Sequence, residues 1–405
     1  MLKFWLFLIL ISSISANPVF SQNQTLKTKT DLAFYSNRFF GLQDNLRSTD
    51  KGTTKFNLIY GLNNFSSQLS FSYDGYKNST FDGSYLQYTK GIATYGLGTV
   101  NRHWSLSKNE SLILSHNARP SKSIFLKLRN KFRHDWLHPE AKWSFEFFNG
   151  FTEGSLRGTK SMLTGARAIL SPREGLDFEL VQTSQWGGDG YNKGISALGA
   201  ALFFDTNNST NSNINKMAGF GISYLIPSEK IPLRIYGQAI GEDESGNLPS
   251  CYTYLAGFEF ANTEIKYPTM LSIEAIDTRV DTSTNGHCGP NTMYNNSTYD
   301  YTNYGQTMGA TLDTEGTSLG LYLRSQISQK INIKFSTRSV VINDSNWSGN
   351  RLSSKRQSGL VNSLSISWVK NNIQFNGILY NQGFNLDKAN IESGYGVGFS
   401  SSMNF

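Results

Sequence analysis

Three groups of side chains in this sequence have the types and spacing that would hold a sugar. A saccharide offers C–H faces to flat apolar rings and hydroxyls to planar polar groups, so Trp beside Arg, Asn, Gln or Asp is the pattern to look for. Arg102, His103 and Trp104 form one group. Arg133, His134, Trp136 and His138 form a second, and Gln185, Trp186 and Asp189 around Gly187 and Gly188 a third. Each Trp has a competing role in the aromatic girdle of a membrane barrel. The Trp186 group also carries turn chemistry in its Gly-Gly-Asp-Gly run. Arg167 is a further candidate, because a guanidinium pairs with an acidic sugar through two parallel hydrogen bonds.

Catalytic chemistry finds less support. His134 and His138 are four residues apart, but Pro139 favours a turn there and no third metal ligand follows. Ser115 and His116 are neighbours, and neighbours on a strand face opposite sides. No G-x-S-x-G elbow, phosphate loop, dinucleotide fingerprint or nucleic-acid motif occurs. The sequence therefore leads us to expect no enzyme, no metal and no cofactor.

Strands must position these residues. Apolar and polar side chains alternate over many short segments: Leu58, Tyr60 and Leu62; Leu69, Phe71 and Tyr73; Ile124, Leu126 and Leu128 against Lys127 and Arg129. Further on, Leu176, Phe178 and Leu180 oppose Asp177 and Glu179, and Ile331, Ile333 and Phe335 oppose Asn332 and Lys334. Asn63 and Asn64 mark a hairpin turn. Period-two alternation with charges in mid-strand fits a membrane barrel, apolar to lipid and polar to the lumen. Glu146, Arg167, Arg234, Glu274, Arg324 and Arg338 join Lys127, Arg129, Asp177, Glu179 and Lys334 as inward charges. We expect most of them to be satisfied between facing strands. Polar stretches at 205–215, 241–249, 281–300 and 343–357 are expected to be extracellular loops.

Composition and termini agree. Of the 405 residues 17% are charged, low for a soluble protein. The mean hydropathy is nevertheless −0.36, and no second apolar run approaches a membrane-spanning helix. Aromatics at 13% argue against disorder. Lys3, the apolar run 4–11 and small residues to Ala16 read as a signal peptide over residues 1–21, with the barrel over 22–405. The last strand places Tyr395, Val397, Phe399, Met403 and Phe405 on one face, like the signal read by the barrel-assembly machinery. The fold expected is all-β, a transmembrane antiparallel barrel of eighteen strands, with sixteen the alternative. Cys251 and Cys288 could form one disulfide in an oxidising compartment, and bonded and free thiols stand equally open.

Residues 96–189 resemble the Wzi capsule-assembly family of outer-membrane proteins. The words that carry the resemblance are Asn101-Arg102-His103-Trp104, Ser111 through Pro120, Phe145 through Gly150, Leu163-Thr164-Gly165-Ala166-Arg167 and Gln185 through Gly190. Tyr304 through Gly309 followed by Asp313 resembles a later family segment. The resemblance implies an eighteen-stranded barrel that holds capsular or other extracellular polysaccharide, acting as a lectin and not an enzyme. This chain departs from the family where an N-terminal helical bundle is expected, since strand-like sequence begins by about Leu32.

The first expectation is thus a polysaccharide-binding barrel of the bacterial outer membrane, the formal charge of +7 leaning toward an anionic partner such as acidic polysaccharide or lipopolysaccharide. Its partners would be polysaccharide, outer-membrane lipids with lipopolysaccharide, and the assembly machinery, with the chain a monomer and no nucleic acid involved. A diffusion channel is the rival, and a lipid or glycan hydrolase ranks third.

Overall fold

The computed structural model describes residues 24–40, 52–74, 78–132, 138–153, 160–203, 214–228, 232–245, 248–262, 266–283 and 287–405. Antiparallel strands close into one barrel. In chain order they are β1 (Gln24–Tyr35), β2 (Thr53–Leu62), β3 (Phe65–Asp74), β4 (Tyr85–Lys90), β5 (Ala93–Thr99) and β6 (Lys122–Lys131). There follow β7 (Lys142–Phe151), β8 (Met162–Arg173), β9 (Leu176–Trp186), β10 (Asn215–Ile226), β11 (Leu233–Ser245) and β12 (Leu248–Asn262). The wall ends with β13 (Thr269–Asp277), β14 (Thr317–Ser328), β15 (Ile331–Ile342), β16 (Gln357–Lys370), β17 (Ile373–Gln382) and β18 (Gly394–Asn404). The two residues Ser79–Thr80 pair with β3 in line with β4 and add no position to the wall. The wall has eighteen strands, and β1 closes on β18 from Lys29↔Asn404 to Tyr35↔Gly398.

Two-residue turns join β2–β3, β4–β5, β8–β9, β14–β15 and β16–β17, all at the end where β18 finishes. By the rule of short periplasmic turns and long outer loops, this end is periplasmic. Asn63 takes the left-handed backbone its turn requires, with φ at 51°.

The alternation read from the sequence defines the two faces. Leu69, Tyr73, Ile124, Leu180, Leu319, Leu379 and Val397 are exposed on the outer surface, where in water they would be a liability. In a bilayer they form the apolar band. A helix α1 (Ile195–Phe203) lies against this outer face, where the carbonyl of Ala201 accepts hydrogen bonds from Gln182 and Ser184. The opposite parity faces a lumen that holds most of the buried core.

Two outer loops turn inward to make that core. Residues 100–121, between β5 and β6, form a plug loop that buries Trp104, Leu112, Ile113 and Leu114. Residues 278–316, between β13 and β14, form a cap loop that buries Met293, Tyr294, Tyr299 and Tyr301 above it. The stretch 281–300, expected as an exposed loop, is therefore mostly folded into the mouth. Its apolar and aromatic residues exclude water better than its Asn and Thr content suggests. The stretch 241–249 largely extends the β11–β12 hairpin. Most of 205–215, and the signal peptide at 1–21, fall outside the described residues.

A disulfide joins Cys251, at the outer end of β12, to Cys288 in the cap loop, across a sequence separation of 37 residues. Closing a loop of this length removes unfolded-state entropy worth about 4 kcal/mol in the chain-entropy treatment. Cys251→Ser with Cys288→Ser should leave the barrel wall folded but expose the cap loop. Limited proteolysis should then cut within residues 278–316 much faster than in the disulfide-bonded protein.

Candidate functional site: the plug loop and its outer surface

The plug loop is held by inward charges of the wall. Arg102 Nε bonds Glu146 Oε1 of β7 at 3.0 Å, and its Nη2 reaches Ser123 at 3.2 Å. The guanidinium stacks on Phe148 at 4.0 Å from the ring centroid, and Trp104 meets the same ring edge-on at 5.4 Å. A side chain at position 165 would strike both rings, which explains the glycine of Leu-Thr-Gly-Ala-Arg. Arg167 of β8 donates to Glu179 of β9 at 2.7 Å and to the Ser105 carbonyl at 3.1 Å.

Further along, Ser107 bonds Glu274, Lys108 bonds Glu259 at 2.8 Å, and Asn109 bonds Ser272 at 3.2 Å. Arg324 reaches Asn109 at 3.0 Å, and Arg234 reaches the Leu106 carbonyl. Glu110, fully buried, takes a hydrogen bond from Arg338 of β15 at 3.1 Å and one from Thr311 of the cap loop at 2.6 Å. The loop leaves the lumen at Arg119, whose guanidinium grips Asp82 at 2.6 and 3.0 Å and lies 3.8 Å from the Tyr304 ring centroid.

This geometry revises the expectation that facing strands satisfy their own charges. Arg167–Glu179 is such a wall pair, but Glu146, Glu259, Glu274, Arg234, Arg324 and Arg338 all bond the inserted loop. Alternation identifies an inward charge without naming what meets it.

The cap loop locks the plug from above. Tyr294 OH donates to the Leu112 carbonyl at 2.6 Å, and Tyr301 OH to the Ile113 carbonyl at 2.9 Å. Ser115 Oγ donates to the Gly309 carbonyl at 2.5 Å. Ser115 thus serves the plug, and its neighbour His116 lies beside the His103 ring, 5.5 Å away.

Most of the proposed saccharide ligands are closed off. Trp104 is 1% exposed and Trp186 2%, so neither ring has a face on which a sugar could stack. Trp186 points outward from β9, donates to Thr164 at 2.8 Å and is packed with Ala200 and Ala201 of α1. Arg102 and Arg167 are bound to wall carboxylates and loop carbonyls, as described above. Gln185 bonds Ser161 at 3.2 Å and the Asp300 carbonyl at 2.9 Å. These five are corrected to structural roles. The reason is shared: each sits where a loop folds back on the wall. Asp189 stays exposed beside Lys193, at 3.7 Å. Trp136, with Arg133 and His134, lies outside the described residues.

The outer rim carries a surface that the sequence reading missed. Arg279 pairs with Asp277 at 2.7 Å and with Asp344 at 3.0 Å, and Arg356 pairs with Asp344 at 2.7 Å. Hydrogen bonds from Arg356 and Arg279 hold the Asp344 carboxyl below its usual range. Ser345 reaches Asn291 at 3.0 Å, and the Trp347 amide donates to Asn343 at 2.8 Å. The network spans two outer loops far apart in sequence, so no local word could reveal it.

A family model described as "Capsule assembly protein Wzi" matches residues 16–384. The chain belongs to the Wzi capsule-assembly family. Among solved structures, the fold resembles the Escherichia coli outer-membrane protein Wzi, involved in group 1 capsule assembly and described as a carbohydrate-binding β-barrel. The TM-score is 0.74 at 22% identity, covering 93% of this chain and 84% of that one. The Pseudomonas aeruginosa protein OprD matches at a TM-score of 0.57 and 8% identity, over 96% of this chain and 97% of that one. A protein of 55.8 kDa from the cps region of Klebsiella pneumoniae is 28% identical over 190 residues, 46% of this chain. That match spans 38% of the relative's length. This family member is an outer-membrane barrel. The words that carried the resemblance are the plug loop, its sockets on β7, β8 and β9, and the part of the cap loop that seals it.

Two outcomes follow. Glu110→Ala leaves Arg338 buried without its carboxylate, at a cost of roughly 3–5 kcal/mol. The plug should loosen, read as a lowered thermal midpoint and faster hydrogen exchange in residues 100–121. Acid should act in the same direction through His103. Burial is the main cause that pushes its pKa down to about 4, with the nearby His116 and Arg167 adding and the Ser107 carbonyl opposing. A displaced His103 titrates near 6.5. Between the two values the displaced loop takes a proton that the seated loop refuses, so seating weakens as pH falls from about 6.5 to about 4. Exchange in the plug loop should rise over that window, and His103→Gln should flatten the response.

Proposed function

We propose that this protein binds or organises capsular or other extracellular polysaccharide at the cell surface, as a lectin and not as an enzyme. The observation that carries the reading is the pair of outer loops folded into the barrel mouth. The plug loop, tied to the wall by buried ion pairs, and the cap loop, tied to it by the Cys251–Cys288 disulfide, are joined to each other by Tyr294 and Tyr301 and make a platform at the outer mouth. Family membership and the resemblance to a carbohydrate-binding barrel support it.

The rim network of Arg279, Asp344 and Arg356, with Asn291 and Ser345 beside it, is the part of the platform best suited to the work. Its guanidiniums can exchange Asp344 for a sugar carboxylate or hydroxyls. Asp189 supplies a second exposed polar group. The chain reaches the outer membrane by way of the leader at residues 1–21 and the assembly machinery, and works as a monomer among lipopolysaccharide. The plug occupying part of the lumen weighs against a wide channel, and the buried Ser115, whose Oγ bonds the Gly309 carbonyl, gives no support to a hydrolase.

Deleting the gene should release polysaccharide into the medium without stopping its synthesis; unchanged surface retention would sink the reading. Arg279→Ala with Arg356→Ala should lower binding of an acidic polysaccharide to the purified protein about tenfold, measured by pull-down, while Trp186→Ala should act through stability alone.

A further inference from the structure

The plug loop does not fill the lumen evenly. It rests on the charged side from β7 to β15 and leaves a cavity of about 1360 Å³ against β1–β3 and β14–β18. This is more than the roughly 300–1,000 Å³ of a pocket for one small molecule. The reason is side-chain size. Ser363, Ser365 and Ser367 of β16, Asn376 of β17, and Ser400 and Ser402 of β18 line it. Gln374 and Ser402 belong to the periplasmic ends of β17 and β18, and Thr53 and Asp74 to the outer ends of β2 and β3, so the cavity runs beside the plug along the height of the wall and reaches the periplasmic rim.

Its lining is cationic. Lysines and arginines outnumber carboxylates eight to three. Several are answered: Lys29 by Asp31, Arg119 by Asp82, Lys108 by Glu259 and Arg338 by Glu110. Arg324 and Lys334 are not. They stand directly opposite each other on β14 and β15, both facing the cavity. Neither has a carboxylate partner among the described residues; Arg324 has the neutral Asn109 of the plug. Like charges directly across a strand pair are destabilising. Such a pair kept on a wall of hydroxyls is what an anionic, hydroxyl-rich ligand would neutralise.

We propose that this vestibule is a second binding site, open to the periplasm, for a segment of acidic oligosaccharide. Arg324 and Lys334 hold its carboxylate or phosphate groups, and the Ser and Asn row of β16–β18 takes its hydroxyls. The identity of the ligand rests on the polysaccharide reading above; the anion site itself rests on the cavity and its charges.

The full chain in detergent micelles tests this by calorimetric titration with oligogalacturonate, set against a neutral maltooligosaccharide of equal length. The wild type should bind oligogalacturonate at least tenfold more tightly, and added salt should weaken it. The Lys334 side chain bonds no other described residue, so Lys334→Gln should fold normally, as the shift of the folded band on heating checks. It should weaken binding about tenfold, and the double change with Arg324→Gln should weaken it further. Unchanged affinity in both variants, or equal binding of the neutral sugar, would overturn the site. A Lys334→Cys variant should react with an impermeant maleimide only after the outer membrane is permeabilised; labelling in intact cells would overturn the periplasmic opening. If the wild type binds no oligogalacturonate while gene deletion still releases polysaccharide, this inference falls alone. If deletion changes nothing but the charge-dependent binding persists, the site stands and the surface reading falls.

Discussion

A closed wall of eighteen strands encloses more volume than its own inward side chains can fill. The rest of the structure depends on how that volume is occupied. Here it is occupied by chain, and chain brings backbone amides and carbonyls that must be bonded. The wall meets them with Arg167, Arg234 and Gln238, each of which donates to a plug-loop carbonyl. The plug answers with its own charges, Arg102 to Glu146 and Glu110 to Arg338. Neither set is stable buried without the other.

Buried ion pairs do not by themselves add much stability, because desolvation offsets most of the attraction. Their use here is in fixing one threading. A loop of apolar residues alone could slide along a hydrophobic lumen. Arg102, Lys108 and Glu110 each find their opposite charge on a different strand, β7, β12 and β15, so a shift of the loop would leave three charges unpaired at once. The cap loop then adds hydrogen bonds that hold the tip, and the Cys251–Cys288 bond ties the cap to the wall.

The wall was legible because period two is imposed by lipid. Leu180, Ile124 and Val397 had to alternate with polar neighbours, and they do so on the exposed face. The inward charges were legible for the same reason. Their partners were not, since the plug loop has no period: Arg102, Trp104 and Leu112 lie on irregular backbone, and burial there follows from contacts with strands far along the chain. Trp104 and Trp186 read as sugar platforms because residue type shows what a ring can do, not what covers it. The Arg279–Asp344–Arg356 surface failed to appear for the opposite reason, its members being ordinary loop charges until two loops meet. The two cysteines left bonded and free states equally open because pairing depends on where the cap loop folds.

The unfilled side of the lumen follows from the same rule that fills the other. Large and charged inward residues on β7–β13 give a loop something to pack on, and serine at every second position of β16 does not. A loop settles where it gains contacts, so the small-residue arc stays open. A row of hydroxyls beside Arg324 and Lys334, which have no carboxylate partner among the described residues, is a poor way to build a plugged barrel and a reasonable way to leave a polar path beside the plug. The wall therefore encodes two lumens, one for its own chain and one for something else.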